Sequence, residues 1–283
     1  MRCSTTYCLR CGRPRRRRRR SDTIAARSEV EMPPLGLHTV VAKEVGDRLR
    51  YHVLDEERGN LYLGSTAPDI RVITRWERGR THFFDLSNFD EQSGVAGLFS
   101  AYPRLRETGG LGAGTVAFMA GYVTHLVMDE LWINTIYRPF FGVRSPLGGD
   151  LRANIMDRAI QFSLDRQKRI DRELMAHVLD EVARSDLALE IDFIDGKTLH
   201  RWKEVILDVV NSSPDWERFR NIAGRHLREA GIESPEQFKE FLRSLPDLVD
   251  ETLRYLTEER LREFMDLSVE HGVGAVKEYL ECE

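Results

Sequence analysis

The longest apolar run in the chain, residues 116–141, is interrupted by His125, Asp129 and Glu130. Ionisable groups so placed oppose a bilayer span, so the run predicts a buried central helix of a globular body. His125 and Asp129 are four residues apart, on one helical face and one turn from each other. There an imidazole and a carboxylate can converge on one cation. Buried without a partner, they would cost roughly several kcal/mol. A mutual hydrogen bond or a bound metal meets that requirement, and from the pair alone both readings stand.

Helical periodicity covers most of the remainder. Val40, Val41, Val45, Leu49 and Val53 mark one face of a first helix that begins near His38. Gly59-Asn60 is expected to break it, and residues 61–90, with Gly64, Pro68 and Gly79, read as loop-rich. A short helix is expected over 94–105, ended by Gly109-Gly110. After a Pro/Gly linker at 144–149 the chain reads as charged helix over 150–185, 198–210, 214–230, 235–245 and 248–281. Ser213-Pro214 and Ser234-Pro235 look like N-caps followed by proline. Nothing alternates as a strand should, so the expected fold class is all-α. The expected parts are a metal-binding helical core at 32–149 and C-terminal helices at 150–283, in the same or an appended domain.

Residues 1–31 carry ten arginines against Asp22, Glu29 and Glu31, a net +7 that leaves −11 for the rest of a chain whose net charge is −4. The acidic body offers no basic face for a nucleic-acid backbone. The Arg run at 15–20 has no apolar segment behind it long enough for a secretory signal. The leader is therefore expected to be a disordered basic extension, with Met32 as the natural beginning of the folded part, and the location is expected to be cytoplasmic. Cys3, Cys8 and Cys11 lie in the leader and Cys282 is penultimate, so the body has no thiol framework. Cys8-x-x-Cys11 has no second pair to complete a zinc site. Phosphate-loop and dinucleotide glycine motifs are absent from the sequence.

Three further residues share the chemistry of the central pair. Asp69 follows Pro68 in Leu63-Gly64-Ser65-Thr66-Ala67-Pro68-Asp69, His82 stands among aromatics in Thr81-His82-Phe83-Phe84-Asp85, and His38 opens the first helix. Each alone has a plain explanation as a cap, interface or surface residue. Together they make three imidazoles and two carboxylates, a donor set suited to zinc. Asp85 is a candidate to accept the second N–H of His82 and orient its ring. His52, His200, His226 and His271 read as surface residues, and Trp132, Tyr137, Phe140 and Phe141 as core.

The order His38, Gly64-x-x-x-Pro68-Asp69, Thr81-His82-Phe83, Gly121-Tyr122-x-x-His125-x-x-x-Asp129 resembles the zinc-dependent phospholipase C family and its single-strand nuclease relatives. The resemblance covers about residues 32–141 and fades after Gly149. It implies an all-helical core holding a cluster of zinc ions. Asp69, His82, His125 and Asp129 would hold one ion, and His38 with a bridging Asp129 a second. It also implies a general-base role for Asp69, in competition with its ligand role. The family's third metal uses a further His pair and a Glu. His177-x-x-x-Glu181, which reads rather as part of a solvated helix, and Asp157 are the candidates here, and with His38 inside the chain the family's free N-terminal ligand is absent unless the leader is cleaved. One or two zinc ions are therefore expected, activating water against a phosphodiester or phospholipid-like substrate, with Glu130 and Asp85 as spare carboxylates for proton transfer. Loops 71–80 and 106–112 are expected to line the pocket. The alternatives are a non-catalytic protein stabilised by its metal and a nuclease, which the acidic body disfavours.

Overall fold

The first helix, α1 (Leu35–Leu49), ends at Arg50, whose φ of 53° turns the chain. It leads into α2 (His52–Glu56) and α3 (Arg58–Thr66). A 3-10 turn over Ala67–Ile70 then feeds two single turns, α4 (Arg71–Thr74) and α5 (Gly79–His82). Next come α6 (Gly94–Ala101) and the central α7 (Ala113–Trp132), which widens into a π-helical segment at Ile133–Phe141. The C-terminal half is α8 (Leu151–Arg169), α9 (Arg172–Arg184), α10 (Gly196–Asn211), α11 (Phe219–Glu229), α12 (Pro235–Leu256) and α13 (Glu258–Leu280). The computed structural model describes residues 35–282, so the leader, its cysteines and Met32 lie outside the described residues. Among the described residues there is no strand, and the fold is all-α. No helix among them is long and apolar enough to cross a membrane.

The central helix is enclosed by α1, α3 and α13. Phe118, Met119, Tyr122, Met128 and Trp132 of α7 are fully buried, each contributing roughly 1.5–3 kcal/mol by leaving water. A satellite core joins Ala159 and Phe162 of α8 to Phe219 and Leu227 of α11 and Leu245 and Val249 of α12. The C-terminal helices also reach the start of α1, where Asp165 of α8 accepts a hydrogen bond from the Leu37 amide at 3.0 Å. That amide is one of the donors a first helical turn leaves unpaired, so α8 fixes the turn that carries His38.

Several helix boundaries differ from the expectation, for identifiable reasons. Gly59-Asn60 does not break a helix; both lie in the first turn of α3, and the segment expected to be loop is this buried helix and the turns after it. The glycines there serve close approach. A Cβ on Gly59 would sit 2.1 Å from the Glu181 carbonyl oxygen, and one on Gly64 1.9 Å from that of Phe118. From the other side, a Cβ on Gly121 would sit 2.0 Å from the Leu61 carbonyl oxygen. Helices α3 and α7 therefore touch backbone to backbone. The helix expected over 150–185 is two helices, with Asp171 capping the second through the Leu174 amide at 3.0 Å. The two expected over 235–281 divide instead at Thr257, because α12 continues through Pro246 while burying Leu245 and Val249 on either side of it. Ser234 caps α12 in a reciprocal box with Gln237, whereas α11 begins at Phe219, well past Ser213.

Gly64→Ala and Gly121→Ala should each destabilise the protein by about 2–4 kcal/mol, since the added carbon meets backbone that cannot rotate away. Gly274→Ala, on α13 with open space around it, should instead stabilise by about 0.5–1 kcal/mol. Chemical denaturation of the three variants checks both signs.

Candidate metal centre

Four elements deliver the cluster. His38 comes from the first turn of α1, Asp69 from the 3-10 turn after α3, His82 from the end of α5, and His125 and Asp129 from α7. The structure brings all five into one buried group. His38, His82, His125 and Asp129 are at most 1% exposed and Asp69 is 7% exposed. Two subsets place their ligand atoms close enough together to hold a metal ion: His38, Asp69 and His125, and His82, His125 and Asp129.

Neighbouring groups fix how each imidazole is turned. The His125 Nδ1 lies 2.8 Å from the Ser65 carbonyl oxygen, which only accepts, so Nδ1 carries the hydrogen and Nε2 points into the cluster. That carbonyl lies in the last turn of α3, just before Pro68, a residue with no N–H to continue the helical ladder. The His82 Nδ1 lies 2.9 Å from Thr81 Oγ1, and that hydroxyl donates onward to the Arg78 carbonyl at 3.4 Å. The His82 Nε2 is thereby also left as the inward acceptor. Tyr122 of α7 donates to the Thr81 carbonyl at 2.5 Å and holds this turn against the central helix. The rings of His38 and His125 stack with centroids 3.8 Å apart.

The resulting distances bear directly on metal binding. His82 Nε2 is 3.3 Å from His125 Nε2 and 3.1 Å from Asp129 Oδ2, and His125 Nε2 is 3.4 Å from the same oxygen. Zinc–ligand bonds of about 2.0–2.1 Å in a tetrahedron require ligand–ligand edges of roughly 3.3 Å. The three atoms thus form a triangle of the size a zinc ion needs for one face. The other carboxylate oxygen, Asp129 Oδ1, makes no hydrogen bond among the described residues and faces His38 Nε2 at 3.7 Å. Asp69 Oδ1 stands 3.7 Å from His82 Nε2. The donors therefore fit a divalent cation in number, type and spacing.

Electrostatics follow from this crowding. Burial would raise the pKa of Asp129, but His125 and His82 outweigh it and hold the carboxylate well below its usual range. Burial and the Arg78 charge push His82 well below the usual imidazole value. Burial works against a charged His125 too, yet Asp129 and Asp69 keep its pKa raised. Asp69 itself is pushed up to about 6, chiefly by burial. Glu130, half-buried and accepting a hydrogen bond from the Gly94 amide, is pushed up to about 7 by burial and the neighbouring Asp129 charge.

Other sequence candidates lie elsewhere. Asp85 does not orient His82: its carboxylate is turned outward to accept from the Ser87 amide and hydroxyl at 2.9 and 2.7 Å, and Thr81 takes the orienting place. Asp157 is buried but bonded to Trp132 Nε1 at 3.1 Å and Gln161 Nε2 at 2.8 Å, with Arg158 beside it, and joins neither ligand subset. His177 lies against the Tyr62 hydroxyl at 3.3 Å. His226, expected at the surface, is 5% exposed and sits near Glu229. Sequence reasoning missed Arg78, which donates through Nη2 to Asp129 Oδ2 at 3.1 Å. Its spacing of four residues from His82 was the available signal. A groove lined by Ile155, Phe241 and Leu248, with Asp247 and Glu251 on its rim, shares no residue with the cluster.

No protein family, curated protein or solved structure matches the chain.

The Asp157 network gives a separate test. Burial raises the pKa of this carboxyl from 3.8 to about 6, so the folded state holds a proton that the unfolded state releases across that window. This group alone should lower the unfolding free energy by up to on the order of 3 kcal/mol as pH rises from about 4 to 6, in addition to like-signed contributions from Asp69 and Glu130. Asp157→Asn should make the slope between pH 4 and 6 shallower by about that amount in pH-dependent denaturation and leave metal content unchanged.

Proposed function

We propose that the protein is a metal-dependent phosphoester hydrolase of the zinc-dependent phospholipase C type, with zinc as the resident metal and a phosphodiester or phospholipid-like molecule as substrate. The observation that carries this reading is the triangle of His82 Nε2, His125 Nε2 and Asp129 Oδ2, with the second nitrogen of His125 already committed as a donor to the Ser65 carbonyl. The order of the ligand residues along the chain resembles that family and supports the same assignment. A divalent cation held by these residues would lower the pKa of water and neutralise charge gained by phosphoryl oxygens.

The chain's own groups have distinct roles. His82, His125 and Asp129 hold one ion, and His38 and Asp69 complete that ion's shell or hold a second. Ser65 and Thr81 keep two of the imidazoles turned inward. Asp69, pushed up to about 6 by burial, either takes that ligand place or, left off the ion, takes a proton from the attacking water, and not both. Glu130, the other carboxylate pushed up, to about 7, is turned to the Gly94 amide and takes no part in the step. Among the cluster residues Asp69 keeps the most solvent contact, so substrate enters on its side. The near-complete burial of the rest favours a second reading, in which the ion only stabilises the fold, and turnover separates the two.

Metal content by mass spectrometry on wild type, His125→Ala and Asp129→Ala tests the site. About one to two zinc per chain should be present in wild type and lost in both variants. Wild-type protein that folds without metal would end the hydrolase reading. Asp69→Asn should lower phosphodiester turnover by about a hundredfold or more. Zinc-loaded wild type that hydrolyses no phosphodiester would leave the purely structural role.

A further inference from the structure

Arg78 has more hydrogen-bonding capacity than its surroundings use. The guanidinium sits in the segment just before His82 and touches Asp129 through Nη2 alone. Its Nε and Nη1 are buried, and neither has a hydrogen-bond partner among the described residues. A buried guanidinium with unmade bonds is costly unless another acceptor joins it. Its side chain is 12% exposed, so with Asp69 it forms the part of the cluster nearest solvent.

Charge points the same way. Asp69 and Asp129 together cancel one divalent cation, which leaves the positive charge of Arg78 uncompensated in a nearly closed site. Glu130 is turned to the Gly94 amide and lies outside this set. One monoanionic phosphodiester supplies the missing negative charge. Its two non-bridging oxygens also suit the planar fork of an arginine, which binds phosphate through paired N–H groups.

We propose that Arg78 is the phosphoryl-binding residue of this centre, the guanidinium edge that Asp129 leaves open presenting an unpartnered N–H (Nε or Nη1) beside the second Nη2 hydrogen to the non-bridging oxygens of an anionic phosphoester. The assignment rests on the metal-centre reading above. It goes beyond that reading by naming the group that selects the substrate's charge.

The test uses the full chain loaded with zinc, and inorganic phosphate as the probe. Phosphate binding is followed by calorimetry for wild type, Arg78→Gln, Arg78→Lys and Arg80→Gln, with zinc content measured on each. Arg80 stacks on Trp76 with its guanidinium 3.6 Å from the ring centre, in the same segment but exposed, and serves as the control. Arg78→Gln should keep its zinc and weaken phosphate binding at least about tenfold. Arg78→Lys should recover part of the loss, and Arg80→Gln should match wild type. Should Arg78→Gln fail to fold, the Lys variant decides, since it keeps the charge and loses the fork. Full zinc with unchanged phosphate affinity in Arg78→Gln, or in Arg78→Lys where only that variant folds, would overturn the assignment. So would loss of zinc from either variant, which would make Arg78 a positioning residue for Asp129. Wild type that takes up no zinc overturns the metal-centre reading first, and this one with it.

Discussion

Helices α3 and α7 meet where neither has a side chain, and the site is built around that contact. Gly64 lies under the Phe118 carbonyl and Gly121 under that of Leu61, at distances no Cβ would tolerate. Ser65 immediately follows Gly64, and His125 lies one turn beyond Gly121. Bringing the two backbones together therefore also brings the Ser65 carbonyl to 2.8 Å from His125 Nδ1. The packing contact fixes the tautomer, and the tautomer points Nε2 at His82 and Asp129. A wider spacing, such as leucines at the interface would set, would leave His125 without its acceptor and free to turn.

The C-terminal half contributes to the same geometry from the opposite side. Asp165 of α8 binds the Leu37 amide and is itself paired with Arg169 at 3.3 Å, while a Cβ on Gly36 would press within 2.6 Å of both side chains. His38 follows directly, and its ring lies flat on that of His125. Trp202 of α10 donates to Thr66 at 3.2 Å and steadies the end of α3 from which Asp69 emerges. Helices that share no sequence motif with the site thus hold two of its five residues in place.

Much of this was legible in the sequence, and the limits have physical causes. The all-helical class followed from periodicity, and the five cluster residues from their chemistry: ionisable groups in apolar settings need partners, and here they meet one another. What failed were inferences from local grammar. Glycine reads as a breaker when only neighbours along the chain are considered, yet Gly59, Gly64 and Gly121 each admit a backbone from a distant helix. Asp85 shared a turn with His82, but two N–H and O–H donors from Ser87 were nearer and turned it to solvent. Asp157 had the right residue type at a plausible distance along the chain, but Trp132 and Gln161 already occupied its oxygens. Arg78 stands four residues before His82, but its bond to Asp129 spans 51 residues of sequence.

A protonated His125 is the competing way to reconcile three acceptors in one buried triangle. Its Nε2–H could be shared between Asp129 Oδ2 at 3.4 Å and His82 Nε2 at 3.3 Å, and the pull of Asp129 on its pKa favours that charge. One hydrogen leaves the shortest edge, His82 Nε2 to Asp129 Oδ2 at 3.1 Å, unexplained in the tautomer in which the Thr81 hydroxyl donates to Arg78 and accepts from His82 Nδ1. Moving the proton to His82 only transfers the conflict to the edge between His125 and Asp129. A cation among the three would satisfy every edge at once, and their spacing suits a tetrahedral ion. It also accounts for Asp129 Oδ1, which faces His38 without a hydrogen bond and is well placed to accept a second positive centre. Such a cation would release Asp129 from its need for Arg78, and the arginine is the group that gains from an incoming anion.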